Sequence, residues 1–241
     1  MSFEGKSVVV MGAAAGMGEA ASKEYARRGA KVLVADIDVP AANGVVEAIR
    51  SEGGTAEAHE MDLRRRADVF GTIDRAVELF GGLDVLANVG AVYPHSMIED
   101  MTEEFWDDVL GVDLKGPLFA CQAALPHLKK SQGAIVNVSS GAGFYAIPGL
   151  GAYAAAKAGL AALGRVVALE AGPTIRVNTV LPGPTATRGT GGRERPETNV
   201  PLLGRRLSAQ ELADVIVWVS SDAASAVNGA LIRVDGGYAI L

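Results

Sequence analysis

Tyr153 and Lys157 stand four residues apart in the run Tyr153-Ala-Ala-Ala-Lys157, a step that puts two side chains on one face of a helix. Such a pair is either a solvated stripe or a phenol held beside an ammonium, and the second arrangement has a chemical use. A phenol with a pKa near 10 is a poor base at neutral pH. An ammonium about 5 Å away, at an effective dielectric constant near 20, favours the phenolate by roughly 3 kcal/mol, or about two pKa units. Ser140 lies thirteen residues before Tyr153, just after the β-branched run 134–138. That is the carboxyl edge of a predicted strand, where open α/β sheets bind ligands.

A second constellation lies near the start of the chain. The run Ser7–Met11 is followed by Gly12-Ala-Ala-Ala15-Gly16-Met17-Gly18 and then by helical periodicity. Glycines at a strand-to-helix turn let backbone amides approach a phosphate, and the helix N-terminus adds unpaired N–H groups with partial positive charge. The spacing G-x-x-x-G-x-G differs from the commoner dinucleotide fingerprint, and glycine at such a turn also serves simple turn chemistry. Asp36, followed by Ile37, ends the next strand roughly 20 residues on, where an acid binds the ribose hydroxyls of NAD. With Asp38 nearby and no Lys or Arg in the glycine loop, a 2′-phosphate would meet negative charge, so NAD is expected over NADP.

The elements that must position these groups alternate from end to end. Strands are expected at 7–11, 31–35, 55–60, 85–88, 134–138, 175–180 and 231–234. Helices are expected at 16–28, 41–51, 65–80, 103–130, 151–171 and 209–221. Alternation of this kind predicts a parallel sheet with helices on both faces. Ser208 with Glu211 fits a capping box, and Thr102 before Glu103 and Glu104 fits a helix start. A chain of 241 residues is expected to form one dinucleotide-binding and catalytic domain, 1–241. Its long irregular stretch, rich in Gly, Pro and Arg, supplies a substrate lid at about 184–206.

Composition excludes several classes. A net charge of −6 argues against nucleic acid or an anionic membrane as partner. Cys121 is the single cysteine, and His59, His95 and His127 lie far apart, so neither a disulfide framework nor a metal site is expected. The uncharged run 133–156 is interrupted by Ser139, Ser140, Pro148 and several glycines, which reads as core and loop rather than a span. The start Met-Ser-Phe-Glu-Gly-Lys has no signal-peptide pattern, and the cytoplasm is the expected compartment. Thirty glycines, about 12% against an average near 7%, point to many close backbone approaches.

Taken together, these motifs resemble the short-chain dehydrogenase/reductase family in its form of about 250 residues. Besides the glycine motif, Asp36, Ser140 and Tyr153–Lys157, the resemblance rests on Asp62-Leu63, Asn88-Val-Gly90, Pro182-Gly183-Pro-Thr185-Ala-Thr187, and Asn228-Gly229 with Asp235-Gly236-Gly237. It implies a Rossmann-like doubly wound seven-stranded parallel sheet in the order 3-2-1-4-5-6-7. It further implies nicotinamide-dependent hydride transfer at an alcohol carbon, and homotetramers, here through helices 103–130 and 151–171 if their surplus apolar positions are not buried within the subunit. Tyr153 would be the general acid/base. Lys157 would lower its pKa and bind the nicotinamide ribose, and Ser140 would hydrogen-bond the substrate oxygen as charge develops there. Asp62 and Leu63 would contact adenine, while Asn88, Gly90, Pro182, Gly183, Thr185 and Thr187 complete the cofactor contacts.

The sequence departs from the family pattern at Met11, where Thr is usual, and at Ala87 and Val89 beside the retained Asn88 and Gly90. It also carries Asp113 where the family has a fourth catalytic residue, Asn. An ionised Asp accepts hydrogen bonds but donates none. The substrate pocket is expected to use Val92, Tyr93, His95, Gly141, Phe144, Tyr145 and the lid, accepting an apolar secondary alcohol or its ketone. The rings could equally pack the loops, and His95 could face solvent. Arg188, Arg193 and Arg195 either recruit an anion or sit in solvent. Reduction of another carbonyl, or dinucleotide sensing without catalysis, are the alternatives. Enoyl reductases of the family have a wider Tyr-to-Lys step than the four residues here.

Overall fold

The computed structural model describes residues 1–187 and 201–240. Nine strands occur among them: β1 (Ser7–Met11), β2 (Lys31–Asp36), β3 (Thr55–Glu60), β4 (Val85–Asn88), β5 (Ala134–Val138), β6 (Arg176–Pro182), the two-residue β7 (Thr185–Ala186) and β8 (Leu207–Ser208), and β9 (Leu231–Val234). Seven form one sheet in the order β3-β2-β1-β4-β5-β6-β9, every neighbouring pair parallel. This is the order expected from the sequence. The last strand is ninth in the chain because β7 and β8 form a separate parallel pair.

All residues of β1, β4 and β5 are buried, as they must be in a sheet covered on both sides. Alternate side chains feed two cores. Val8, Val10, Val32 and Val34 pack against α1 (Gly16–Arg27), α2 (Val39–Ser51) and α7 (Ala209–Ser220). Val9, Met11, Leu33 and Ile135 pack on the opposite face against α3 (Arg66–Phe80), α5 (Gly116–Ser131) and α6 (Gly151–Ala171). Strand order reverses between β1 and β4, which opens a crevice at their carboxyl ends.

Among the boundaries that differ from expectation, three have clear local reasons. Helix α2 starts at Val39 rather than Ala41 because the Asp38 carboxylate accepts the Ala41 amide and Pro40 fits the first turn. Strand β6 runs to Pro182, two residues past its predicted end, paired with β9 through Pro182↔Val234. The helix expected at 103–130 is α4 (Glu103–Leu110), a π-helical turn Gly111–Lys115, and then α5. Pro117 has no amide to donate to the Asp113 carbonyl, and the extra residue in the turn accommodates that gap, with the Gly116 amide reaching back to the Gly111 carbonyl.

Candidate active site

The glycine loop is held from below by backbone alone. Gly12 and Ala13 donate to the Ala35 carbonyl, while Val89 and Gly90 both donate to the Met11 carbonyl, at 3.0 and 2.8 Å. Because this anchor uses the main chain, Met11 is free to bury its side chain in the core. Gly12 has φ of +80°, and a Cβ there would lie 2.1 Å from the Gly90 Cα. One on Gly18 would lie 2.0 Å from the Gly12 carbonyl oxygen. These two glycines let the loop, the β4 turn and α1 touch. Gly12, Gly16 and Gly18 all line the cleft, and Thr187 lies over Gly16.

Helix α1 begins there without a side-chain cap, its N-cap being Ala15. Its first amides are therefore left for an anion. Asp36 lines the same cleft, with one carboxylate oxygen accepting the Ala14 amide at 2.9 Å and the other the Asp38 amide at 3.0 Å. Each oxygen keeps a lone pair for a ribose hydroxyl. Exposed Ile37 offers an apolar platform next to it. An uncapped helix start, an acid at the strand end and an apolar ledge fit a dinucleotide.

The cleft has a volume of about 1030 Å³ and runs from Gly12, Gly16 and Asp36 past Gly90 to Ser140 and Tyr153, with Pro182, Gly183, Thr185 and Thr187 along one wall. Ser140 follows β5 with extended backbone and caps the 3₁₀ turn Gly141–Gly143, its Oγ accepting the Ala142 amide at 3.1 Å. Tyr153 and Lys157 lie on one face of α6, with Nζ 5.7 Å from the phenol ring centroid. Lys157 is buried and donates to the Val138 carbonyl at 3.2 Å.

Asp113 completes the group from the π turn. Its Oδ1 accepts the Val92 amide at 3.0 Å and lies 3.9 Å from Lys157 Nζ, while its Oδ2 is buried without a hydrogen-bond partner among the described residues. Burial pushes the Asp113 carboxyl up to about 6, against the pull of Lys157 and the Val92 amide. Burial also lowers Lys157, opposed by the Asp113 charge. The Tyr153 phenol is raised by burial and then by the Asp113 carboxylate, and a hydrogen bond with Ser140 pulls it back only in part. Burial first, and the Asp113 carboxylate second, therefore hold this phenol above its ordinary value, contrary to the lowering expected from Lys157 alone.

Around the phenol, Tyr93 meets Tyr153 edge-on at 4.7 Å and His95 at 5.2 Å. Tyr145 lies against Gly141. Tyr93, His95 and Tyr145 all line the cleft. Phe144 does not: it is half exposed and borders a separate cavity of about 80 Å³ with Arg233 and Ala239. Gly141 borders that small cavity too.

Asp62 also lies off the cleft, because its carboxylate accepts the Arg64 backbone amide and guanidinium, both at 2.9 Å. Met61, Leu63 and Arg64 face the cleft instead. Asn88 is buried inside the sheet, donating to Asn137 Oδ1 at 2.8 Å, and leaves the cleft wall to Val89 and Gly90. Arg64 and Arg206 line the cleft without having been marked by any motif. Arg188, Arg193 and Arg195, with the lid stretch 188–200, lie outside the described residues.

Comparison with known proteins places this architecture in a family. The model described as enoyl-(acyl carrier protein) reductase matches residues 12–239. The chain is 36% identical to 3-oxoacyl-[acyl-carrier-protein] reductase FabG of Thermotoga maritima, over the full length of both. It is also 36% identical to trans-4-hydroxycyclohexanecarboxylate dehydrogenase of Sinomonas cyclohexanicum, covering 96% of this chain and 92% of that one. Meso-2,3-butanediol dehydrogenase of Serratia marcescens is 36% identical, covering 98% and 96%. A dehydrogenase/reductase of Sinorhizobium meliloti superposes with a TM-score of 0.90 at 32% identity, covering 98% of this chain and 96% of that one. The chain belongs to the short-chain dehydrogenase/reductase family, whose members are oxidoreductases that use nicotinamide dinucleotides.

Proposed function

We propose that this chain is an NAD-dependent oxidoreductase that interconverts a secondary alcohol and its ketone. The reading is carried by one cleft that joins an uncapped helix start and a strand-end acid to Ser140 and Tyr153, with Lys157 and Asp113 packed beneath. Bound NAD supplies the two-electron acceptor or donor. Tyr153 Oη takes the hydroxyl proton during oxidation and returns it during reduction. Ser140 donates to the substrate oxygen, where charge develops. Lys157 supplies positive charge behind the phenol and a donor for the nicotinamide ribose, and Asp113 tunes both.

Asp36 with Asp38 favours NAD over NADP, since both acids would repel a 2′-phosphate. The four-residue step from Tyr153 to Lys157 favours alcohol and ketone chemistry over enoyl reduction. Val92, Tyr93, His95 and Tyr145 suit a small apolar or cyclic alcohol, and the relatives named for hydroxycyclohexanecarboxylate and butanediol support this class. On this reading 1–241 is one domain working in the cytoplasm, with 184–206 as its lid. Val166 and Leu169, at 49% and 84% exposed on α6, support a homotetramer through 103–130 and 151–171.

The phenol is the group to test. Tyr153→Phe removes the proton carrier and keeps the ring contact with Tyr93, so kcat for alcohol oxidation is expected to fall by roughly 100-fold or more while NAD affinity, read by calorimetry, is unchanged. Near-wild-type turnover would overturn the assignment.

A further inference from the structure

Among the described residues, Tyr145 alone lines both the cleft and the cavity of about 80 Å³ behind it, so its ring is the partition between the two. The ring folds back over Gly141, the residue after Ser140: a Cβ on Gly141 would lie 2.5 Å from Cε1 and 2.7 Å from Oη of Tyr145. The Tyr145 amide closes that turn onto the Gly141 carbonyl at 3.1 Å. Tyr145 therefore stands at the substrate end of the cleft, beside the serine that would meet the substrate oxygen. A void on one side deprives a ring of dispersion contacts there, so a neighbour has to fix its position.

Tyr238, in the turn after β9, is that neighbour. Its ring meets Tyr145 at 5.3 Å between centroids, inclined by 56°, within the range where aromatic pairs attract. Its backbone has little freedom of its own. The buried Asp235 carboxylate accepts the Gly237 amide at 2.9 Å with one oxygen and the Ala239 amide at 3.0 Å with the other, and the Asp235 carbonyl accepts the Tyr238 amide at 3.1 Å. Three successive amides are thus tied to one residue. That residue is seated on the cofactor wall: a Cβ on Gly183 would lie 2.6 Å from the Asp235 Cα, and the Gly183 amide donates to the Val234 carbonyl at 2.9 Å. We infer that Tyr238 is a positioning residue for substrate specificity: it holds the Tyr145 ring on the cleft side of the partition and so sets the size of secondary alcohol that fits beside Ser140. Without the Tyr238 ring, the room it vacates and the small cavity let Tyr145 withdraw, and the substrate end widens.

The inference rests on the alcohol reading of the cleft, and the test separates the two. Wild type, Tyr238→Ala, Tyr238→Phe, Tyr145→Ala and the double variant are assayed with NAD on secondary alcohols graded in size from butan-2-ol through cyclohexanol to 4-tert-butylcyclohexanol. The readout is the ratio of kcat/KM for the largest alcohol oxidised to that for the smallest, which loss of folded protein does not move. Tyr238→Ala is expected to raise this ratio by roughly tenfold or more, mostly through KM. Tyr238→Phe keeps the ring pair and should match wild type, and adding Tyr238→Ala to Tyr145→Ala should change the ratio no further. An unchanged ratio in Tyr238→Ala, or the same shift in the Tyr145→Ala background, would overturn the role of Tyr238 while leaving the alcohol reading in place. Wild-type turnover of no member of the series would overturn the reading of the cleft, and the role of Tyr238 with it.

Discussion

Asp113 is the residue at which this site is most its own. A neutral Asn in that place would leave Lys157 uncompensated, whereas the Asp113 carboxylate 3.9 Å away pairs the ammonium and adds to the burial that holds the Tyr153 phenol up. Asp113→Asn is therefore expected to lower the phenol's pKa, so the pH at which alcohol oxidation turns on moves down while turnover at neutral pH is kept or raised. A collapse of kcat in that variant would show that the carboxylate itself moves a proton.

Stability carries an independent sign. Because the Asp113 carboxyl titrates near 6 when folded and near 3.9 in the unfolded chain, the native state binds more protons between those values. The carboxyl's favourable contribution is complete below about pH 4 and is lost as pH rises through 6. Urea unfolding of wild type should thus lose ground to Asp113→Asn between pH 4 and 7. A constant difference across that range would contradict the burial argument.

Tyr153, Lys157 and Ser140 were legible from type and spacing, and Asp113 from its place in the pattern. The raised phenol was not, because it depends first on how deeply the fold buries the ring and then on the carboxylate buried near it. Arg206 carried no motif at all. It reaches the cleft only through the pairing of β8 with β7, a contact between two-residue strands that no periodicity announces.

At the scale of elements, period and caps foretold most of the fold. The Ser208–Glu211 capping box opens α7 as its sequence suggests. The break in the long helix was the exception: Pro117 was visible in the sequence, but the period alone does not say that an extra residue enters the helix and turns Asp113 inward.

The far end of α7 is also tied by a device without a motif. Arg176, at the start of β6, donates to the carbonyls of Val219, Ser220, Ser221, Ala224 and Val227 at 2.8–3.3 Å. Val219, Ser220 and Ser221 are acceptors left over where α7 stops, and Ala224 and Val227 belong to the turn and loop that follow. Arg176→Met should cost about 2–4 kcal/mol in urea unfolding. Arg176→Lys should recover only part of that, since one ammonium cannot point at five carbonyls. A change below about 0.5 kcal/mol in Arg176→Met would show that water serves those carbonyls equally well.

For the whole molecule, four of the thirty glycines have distinct tasks at the cleft. Gly12 and Gly18 close the loop onto β4 and α1, Gly90 completes that approach, and Gly16 lets Thr187 lie close over the start of α1. Among the described residues, α6 is the one helix long and apolar enough to cross a membrane, and half of its apolar stretch is buried in the fold that presents Tyr153 and Lys157. The sheet order places the acid of β2, the loop after β1 and the phenol of α6 around one crevice, and the proposed function makes cofactor choice and chemistry properties of that single surface. The direct measurement is dinucleotide reduction by the purified protein across a panel of secondary alcohols, with NAD and NADP side by side. Turnover of at least one alcohol, faster with NAD, is the predicted result. NAD binding without turnover of any alcohol in the panel would contradict it.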